Sequence, residues 1–172
     1  MKTDFENKLI KLGLSYQCNT DGQYVLYKKN VLNSILNAQL ICSEPLDESK
    51  LGSRNGNVIQ SIGRFKLRFQ MELRVQDFII LAFQNTNKHC VDFIIIPTIE
   101  LMKRLNKENR ITTDTQEIEM VFWLMLDNQL YETTDMGVEG EWYYLSKGMN
   151  GRMADDSSRD YSKFLNDWVS LT

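Results

Sequence analysis

The sequence predicts a single α/β (α+β) domain with a central mixed β-sheet flanked by helices. Two nearly continuous apolar runs, 78–83 and 91–96, are typical of strands buried on both faces. Segment 65–75 alternates apolar and polar residues without exception, which predicts a long antiparallel strand with one face in water. Three other segments, near the N-terminus and at 98–106 and 157–169, are predicted to be helices because apolar residues recur in them at helical spacing. Because 172 residues is close to the common size of one domain, we expect residues 1–172 to form a single domain.

The first part of the chain predicts a helix, a turn and two strands. Phe5 and Leu9 have helical spacing, and Gly13 ends the helix. The turn signal Asp21-Gly22 precedes a strand at 23–27. Residues 31–36 have helical spacing whereas 38–42 are typical of a strand, and both interpretations stay open there. Residues 44–57, rich in Gly and charged residues, predict a loop.

The second part predicts a helix at 98–106, a core strand of the central sheet at 118–126 and a short strand around Leu130 and Tyr131. Apolar residues recur at i, i+3, i+4 and i+7 from Tyr161 to Trp168, which predicts a final helix over 157–169. We expect residues 106–172 to be an acidic extension that packs on the same sheet.

Charge is distributed unevenly along the chain. The net charge of −3 combines an excess of five cations in residues 1–111 with an excess of eight carboxylates in residues 112–172. Such a distribution can direct a basic face toward a polyanion, although packing of the two parts within one domain explains it equally well.

Several kinds of chemistry are excluded by composition. The only histidine, His89, lies in a polar stretch that predicts an exposed turn, so a histidine-rich metal centre is impossible. The three cysteines are widely spaced, which predicts buried or half-buried free thiols rather than disulfides or a zinc site. The chain has no glycine-rich phosphate-binding motif, and we expect no nucleotide cofactor.

Location is predicted from the apolar runs. None reaches the roughly 20 residues that a bilayer requires, and the first residues lack the apolar segment of a signal peptide. We therefore expect no membrane contact and a cytoplasmic protein.

Four runs carry a resemblance to a known family. They are Ala38-Gln39-Leu40-Ile41-Cys42-Ser43-Glu44, Arg64-Phe65-Lys66-Leu67-Arg68-Phe69, Asp77-Phe78-Ile79-Ile80-Leu81 and Asp92-Phe93-Ile94-Ile95-Ile96-Pro97-Thr98-Ile99-Glu100-Leu101. With the order of elements around them, they resemble the PD-(D/E)XK (restriction endonuclease-like) nuclease superfamily over about residues 3–105. The resemblance implies a nuclease-like core and a bacterial DNA-restriction or defence setting.

The catalytic motif of that family is incomplete here. Its members place an Asp on one strand and a Glu or Gln, any residue and then Lys on the next, because two oxygen ligands hold Mg²⁺ while the Lys acts on the attacking water. Residue by residue, these positions fall on Val25, Gln39 and Ile41. The resemblance therefore implies that the usual metal site is lost. If other residues have taken over the catalytic roles, Asp21, Gln39 and Glu44 are the candidate catalytic residues. Mg²⁺ would then be the only cofactor, and the sequence does not identify the residues that bind it.

Three functional hypotheses follow. The first is a nuclease-like domain of a DNA-processing or defence system that acts as a nucleic-acid or protein binding module. The second is an active Mg²⁺-dependent DNA endonuclease with relocated residues. The third is a small acidic protein that binds a partner, such as a toxin neutraliser, and it rests on the acidic last third of the chain.

A candidate nucleic-acid face lies on the predicted long strand. Side chains two residues apart on a strand share one face at about 7 Å spacing and can follow successive phosphates. An exposed sheet face with no ligand is the alternative, and Glu72 in its middle counts against DNA. The candidate residues are Lys66, Arg68, Gln70 and Arg74, with Lys28 and Lys29 as possible neighbours.

Overall fold

The computed structural model describes residues 1–27, 35–44, 59–68, 76–85, 88–108, 110–111, 116–125, 128–133 and 159–172. In chain order, the helices and strands are α1 (Lys2–Lys11), β1 (Ser15–Cys18), β2 (Gln23–Tyr27), β3 (Ile35–Cys42), β4 (Ile59–Arg68), β5 (Phe78–Asn85), β6 (Cys90–Pro97), α2 (Thr98–Lys107), β7 (Glu117–Met125) and β8 (Leu130–Thr133). Two 3₁₀ turns follow, Ser162–Phe164 and Trp168–Leu171.

Five strands form the central sheet, in the order β1-β2-β3-β5-β6. The β3 and β5 strands are parallel, with Gln39 opposite Ile79, and every other neighbouring pair is antiparallel. The prediction of a mixed sheet is confirmed.

The second sheet was not predicted. β7, which was expected in the central sheet, instead lies between β4 and β8 in a separate three-stranded sheet. Strand β7 has apolar residues on both faces, as expected for an inner strand. All the apolar side chains from Ile118 to Met125 are buried. A pattern of burial on both faces marks an inner strand of any sheet, so it does not identify the neighbouring strands.

The two core strands β5 and β6 separate two hydrophobic clusters. On one face, Ile79, Leu81 and Phe83 pack with the second sheet and α2. On the other face, Ile80 and Ala82 pack with α1 and with β2 and β3. Burial of these strands on both faces, as the apolar runs predicted, is confirmed.

The predicted helices at the N-terminus and at 98–106 are present as α1 and α2. Each has ten residues, and within the described residues no helix is long and apolar enough to cross a membrane.

The prediction of a final helix at 157–169 is wrong over the described residues 159–172. Tyr161 and Phe164 pack in the cluster between the central and the second sheet. Trp168 instead lies against Phe93, in the cluster on the opposite face of the central sheet. One helix cannot supply side chains to opposite faces of a sheet. The chain therefore passes the edge of β6, where Leu165 forms a β-bridge with Ile94 and Asn166 has a φ of 53°.

Two other predictions are only partly covered by the described residues. Strand β4 begins at Ile59, six residues before the predicted start, and its alternation is present as far as Arg68, while 69–75 lie outside the described residues. In the ambiguous segment, Ile35 and Leu36 belong to strand β3, and 31–34 lie outside the described residues. Residues 45–57 of the predicted loop also lie outside them.

Candidate functional site

The three positions that the resemblance assigns to the nuclease motif lie on the β2–β3 hairpin. Val25 pairs with Asn37, and Gln39 pairs with Gln23 across the two strands. Ile41 packs against the first hydrophobic cluster. The position that the resemblance assigns to a lysine is therefore occupied by a partly buried side chain packed against the core, and the position that it assigns to an aspartate is apolar.

Gln39 contacts the Asp21 turn through the main chain of Asp21. Its Nε2 donates a hydrogen bond to the Asp21 carbonyl oxygen at 2.8 Å, while its Oε1 is buried and accepts no hydrogen bond from the residues that the structure describes. The turn approaches β3 closely because Gly22 has a φ of +77°, and a Cβ there would lie 2.9 Å from the Leu40 carbonyl oxygen. The Asp21 carboxylate accepts a hydrogen bond from the Thr20 hydroxyl at 3.3 Å on the exposed side of this turn.

Glu44, the third candidate catalytic residue, is paired elsewhere. Its carboxylate lies 3.0 Å from the Lys66 ammonium, and its N–H donates to the Arg64 carbonyl oxygen. Across the described ranges, no three His, Cys, Asp or Glu side chains gather closely enough to hold a metal ion.

The described part of the predicted nucleic-acid face is balanced in charge. Lys66 lies opposite Glu119 on β7, and Arg68 lies opposite Glu117. Arg64 forms an ion pair with Glu119, and the hydrogen bond from Lys66 to Glu44 raises the pKa of the Lys66 ammonium. Gln70, Arg74, Lys28 and Lys29 lie outside the described residues.

A buried ion pair that the sequence did not predict lies at the end of the second sheet. The Arg110 guanidinium donates to the Glu132 carboxylate, which is 2% exposed, and it also donates to the Glu119 carbonyl oxygen. Burial raises the pKa of the Glu132 carboxyl, although the positive charge of Arg110 lowers it in part. For the Arg110 guanidinium, burial lowers the pKa, but the negative charge of Glu132 contributes to a net increase. Glu108 lies 3.7 Å from both Arg110 and Arg159.

The same cluster continues to α2 and the last segment. The Arg104 guanidinium lies 4.6 Å from the ring centroid of Tyr161 and donates to the Asp160 carbonyl oxygen at 2.7 Å. Glu100 pairs with Arg104 at 3.3 Å and with Lys163 at 3.6 Å. Burial raises the pKa of the Tyr161 hydroxyl.

This Arg110–Glu132 cluster combines cations and carboxylates that neutralise one another. Strongly perturbed buried groups are typical both of active sites and of structural ion-pair networks. Here the pairs join α2, β8 and the C-terminal segment, an arrangement that supports a structural role. Only the Glu100–Arg104 pair had a sequence signal, the i, i+4 spacing on a predicted helix. Arg110 and Glu132 lie in separate elements and had none.

The cysteines and the histidine complete the set of reactive side chains. All three thiols are free; Cys18 is half-buried as predicted, but Cys42 and Cys90 are exposed, contrary to the prediction. Desolvation raises the pKa of the Cys42 and Cys90 thiols, which favours the unreactive protonated form. His89 lies in an exposed turn, as predicted.

Comparison with known proteins adds no relative: no family model, no curated protein and no solved structure matches this chain.

Proposed function

We propose that this chain is a nuclease-like domain that lacks the usual metal site of the PD-(D/E)XK superfamily and acts as a binding module in a bacterial DNA-processing or defence system. One observation carries the proposal. At the positions that would hold and act on Mg²⁺, the β2–β3 hairpin has Val25, Gln39 and Ile41. Neither aliphatic side chain supplies a metal ligand or moves a proton.

The surroundings of Gln39 support the same conclusion. Its amide is oriented by the Asp21 carbonyl oxygen, and the third candidate, Glu44, is neutralised by Lys66. A relocated catalytic site would need these groups to converge on one ion, whereas their contacts direct them to different neighbours.

A protein is the partner that the charge pattern favours. The phosphate backbone of DNA attracts surfaces with an excess of cations. On the described part of the β4–β7 face, Arg64, Lys66 and Arg68 are matched by Glu44, Glu117 and Glu119. Such alternating charge suits a surface of mixed charge on a protein better than a polyanion.

Incubation with supercoiled plasmid tests the loss of catalysis. We expect no nicking with Mg²⁺ or Mn²⁺ beyond that seen with a chelator. Metal-dependent nicking that disappears in both Gln39→Ala and Asp21→Ala, but persists in Gln17→Ala on the exposed face of β1, would contradict the proposal and locate a relocated active site.

Charge reversal tests the choice of partner. We expect weak binding of duplex and single-stranded DNA at low salt, unchanged in the double variant Arg68→Glu, Arg74→Glu relative to the matched surface control Lys2→Glu, Lys103→Glu. A tenfold weaker affinity in the first variant alone would assign DNA binding to this face. The log–log salt slope would then fall by about 0.7 to 0.9 for each phosphate that the protein no longer neutralises.

A further inference from the structure

The two edges of the central sheet differ in what covers them. At the β6 edge, Leu165 forms a β-bridge with Ile94, and the Asn166 N–H donates to the Phe93 carbonyl oxygen at 2.6 Å. The opposite edge is β1, residues Ser15–Cys18, whose only strand neighbour in the described part of the chain is β2.

The register of β1 determines which main-chain groups point away from the sheet. Asn19 N–H donates to the Gln23 carbonyl oxygen at 3.1 Å. In an antiparallel pair, hydrogen-bonded positions alternate with positions that are not. Gln17 opposite Val25 therefore exchanges hydrogen bonds with β2, whereas the N–H and C=O groups of Tyr16 and Cys18 point outward. Within the described residues, these four groups have no hydrogen-bond partner.

Apart from its short length, this edge lacks the features that usually prevent strand addition. Proteins protect exposed edges with charged side chains, proline or bulges. The sequence of β1 is Ser-Tyr-Gln-Cys, which has neither charge nor proline, and its register with β2 runs without a shift. The edge is therefore able to accept another strand.

We propose that β1 pairs with β1 of a second copy of this chain, antiparallel, about a two-fold axis at Gln17. In this arrangement Tyr16 of each copy faces Cys18 of the other, so all the outward groups of both strands form hydrogen bonds. The two central sheets become one continuous sheet across the junction.

Charge favours a second copy as the occupant. Self-pairing of a charged edge places like charges opposite each other, which is destabilising, and β1 has none. The same alignment brings the exposed Asp21 turn of each copy toward the end of α1 in the other, where Lys11 is exposed. Because β1 is only four residues long, the contact is small, and we expect weak association that depends on concentration.

Disulfide trapping tests this geometry directly. In a background with Cys18, Cys42 and Cys90 replaced by serine, Gln17→Cys places two thiols at a non-hydrogen-bonded pair about 4.5 Å apart between Cα atoms, which suits a disulfide. Ser15→Cys is the matched control, because Ser15 faces Asn19 of the other copy and the two introduced thiols lie about 13 Å apart along the strands. Mild oxidation should therefore cross-link Gln17→Cys at least tenfold faster than Ser15→Cys. Equal cross-linking of the two, or none, would overturn the proposal.

Proline substitution tests the same contact in solution. Cys18→Pro removes an outward N–H and should leave the melting temperature close to that of the wild type, because proline is tolerated on an edge strand. Gln17→Pro, the control, removes an inward N–H and should lower the melting temperature. Sedimentation equilibrium should show a dimer fraction that rises with concentration in the wild type and disappears in folded Cys18→Pro. A wild type that stays monomeric at near-millimolar concentration, or a dimer unchanged in Cys18→Pro, would contradict the proposed pairing. If Cys18→Pro does not fold, the cross-linking result decides.

Discussion

At the scale of single residues, the pair Arg110–Glu132 is sensitive to the loss of either partner. A buried ion pair is costly to form, but removal of one partner leaves an uncompensated charge away from water. The Glu132 carboxylate is 2% exposed and depends on Arg110 for its counter-charge.

Arg110→Met should lower the free energy of unfolding by about 3–5 kcal/mol at neutral pH. Burial already raises the pKa of Glu132, and the removal of Arg110 raises it further. The folded state then binds more protons than the unfolded state, so stability rises as the pH falls toward the ordinary glutamate value of about 4.3. Urea unfolding at several pH values measures this.

Lys163→Met is the matched control, because it removes a cation from an exposed ion pair with Glu100. Its effect should stay below about 1 kcal/mol and vary little with pH. A deficit in Arg110→Met that is constant from pH 5 to 8 would contradict the proposed role of Glu132.

Asn166 has a left-handed backbone conformation, and its side chain forms two hydrogen bonds. Its φ is 53°, its Oδ1 accepts from the Phe93 N–H at 3.0 Å, and its Nδ2 donates to Asp92 at 2.8 Å. Asn166→Ala should cost about 2–4 kcal/mol, because it removes these bonds and forces alanine into the left-handed region. Asn166→Gly removes the same bonds without that strain and should be more stable than Asn166→Ala by about 1 kcal/mol. Equal stabilities in thermal unfolding would show that the backbone conformation is unimportant.

At the scale of elements, β4 approaches β5 closely at Gly63. A Cβ at this position would lie 2.7 Å from the Phe65 ring and 3.2 Å from the Cβ of Phe83. The Phe65 ring can rotate away, but the Phe83 Cβ is attached directly to the backbone of the core strand. The absence of a side chain at Gly63 thus permits this close approach of the two sheets.

Gly63→Ala should therefore destabilise the protein by about 1–3 kcal/mol through overpacking. The double variant Gly63→Ala, Phe65→Leu should be less destabilised than the sum of its two single variants, since the smaller side chain makes room for the added methyl group. Additive effects in denaturant unfolding would show that the strain does not arise from this close approach.

At the scale of the whole molecule, β5 and β6 lie between both hydrophobic clusters, so their opening requires disruption of the entire core. Amide exchange should be slowest at Ile79 to Leu81 and at Ile94 to Ile96. Tyr16 and Cys18 on β1 should exchange fast in dilute solution, because their N–H groups point outward. Rapid exchange throughout the two core strands would contradict their placement at the centre of the fold.

The sequence by itself determined the elements whose signals are local. The Asp21-Gly22 turn followed by β2 at Gln23–Tyr27, the doubly buried strands β5 and β6 and the helix α2 can all be predicted from patterns within about ten residues. Side-chain periodicity reports which faces are buried, and turn residues report backbone conformation, so both are available from one segment.

Only the tertiary structure decided which segments meet. It placed β7 beside β4 rather than in the central sheet, and it replaced the expected final helix with a bent segment at β6. It also paired Glu44 with Lys66 and Arg110 with Glu132, residues far apart in the chain. Periodicity describes how a segment is buried and contains no information about its neighbour. The choice among possible neighbours depends on the packing and charge of the whole chain.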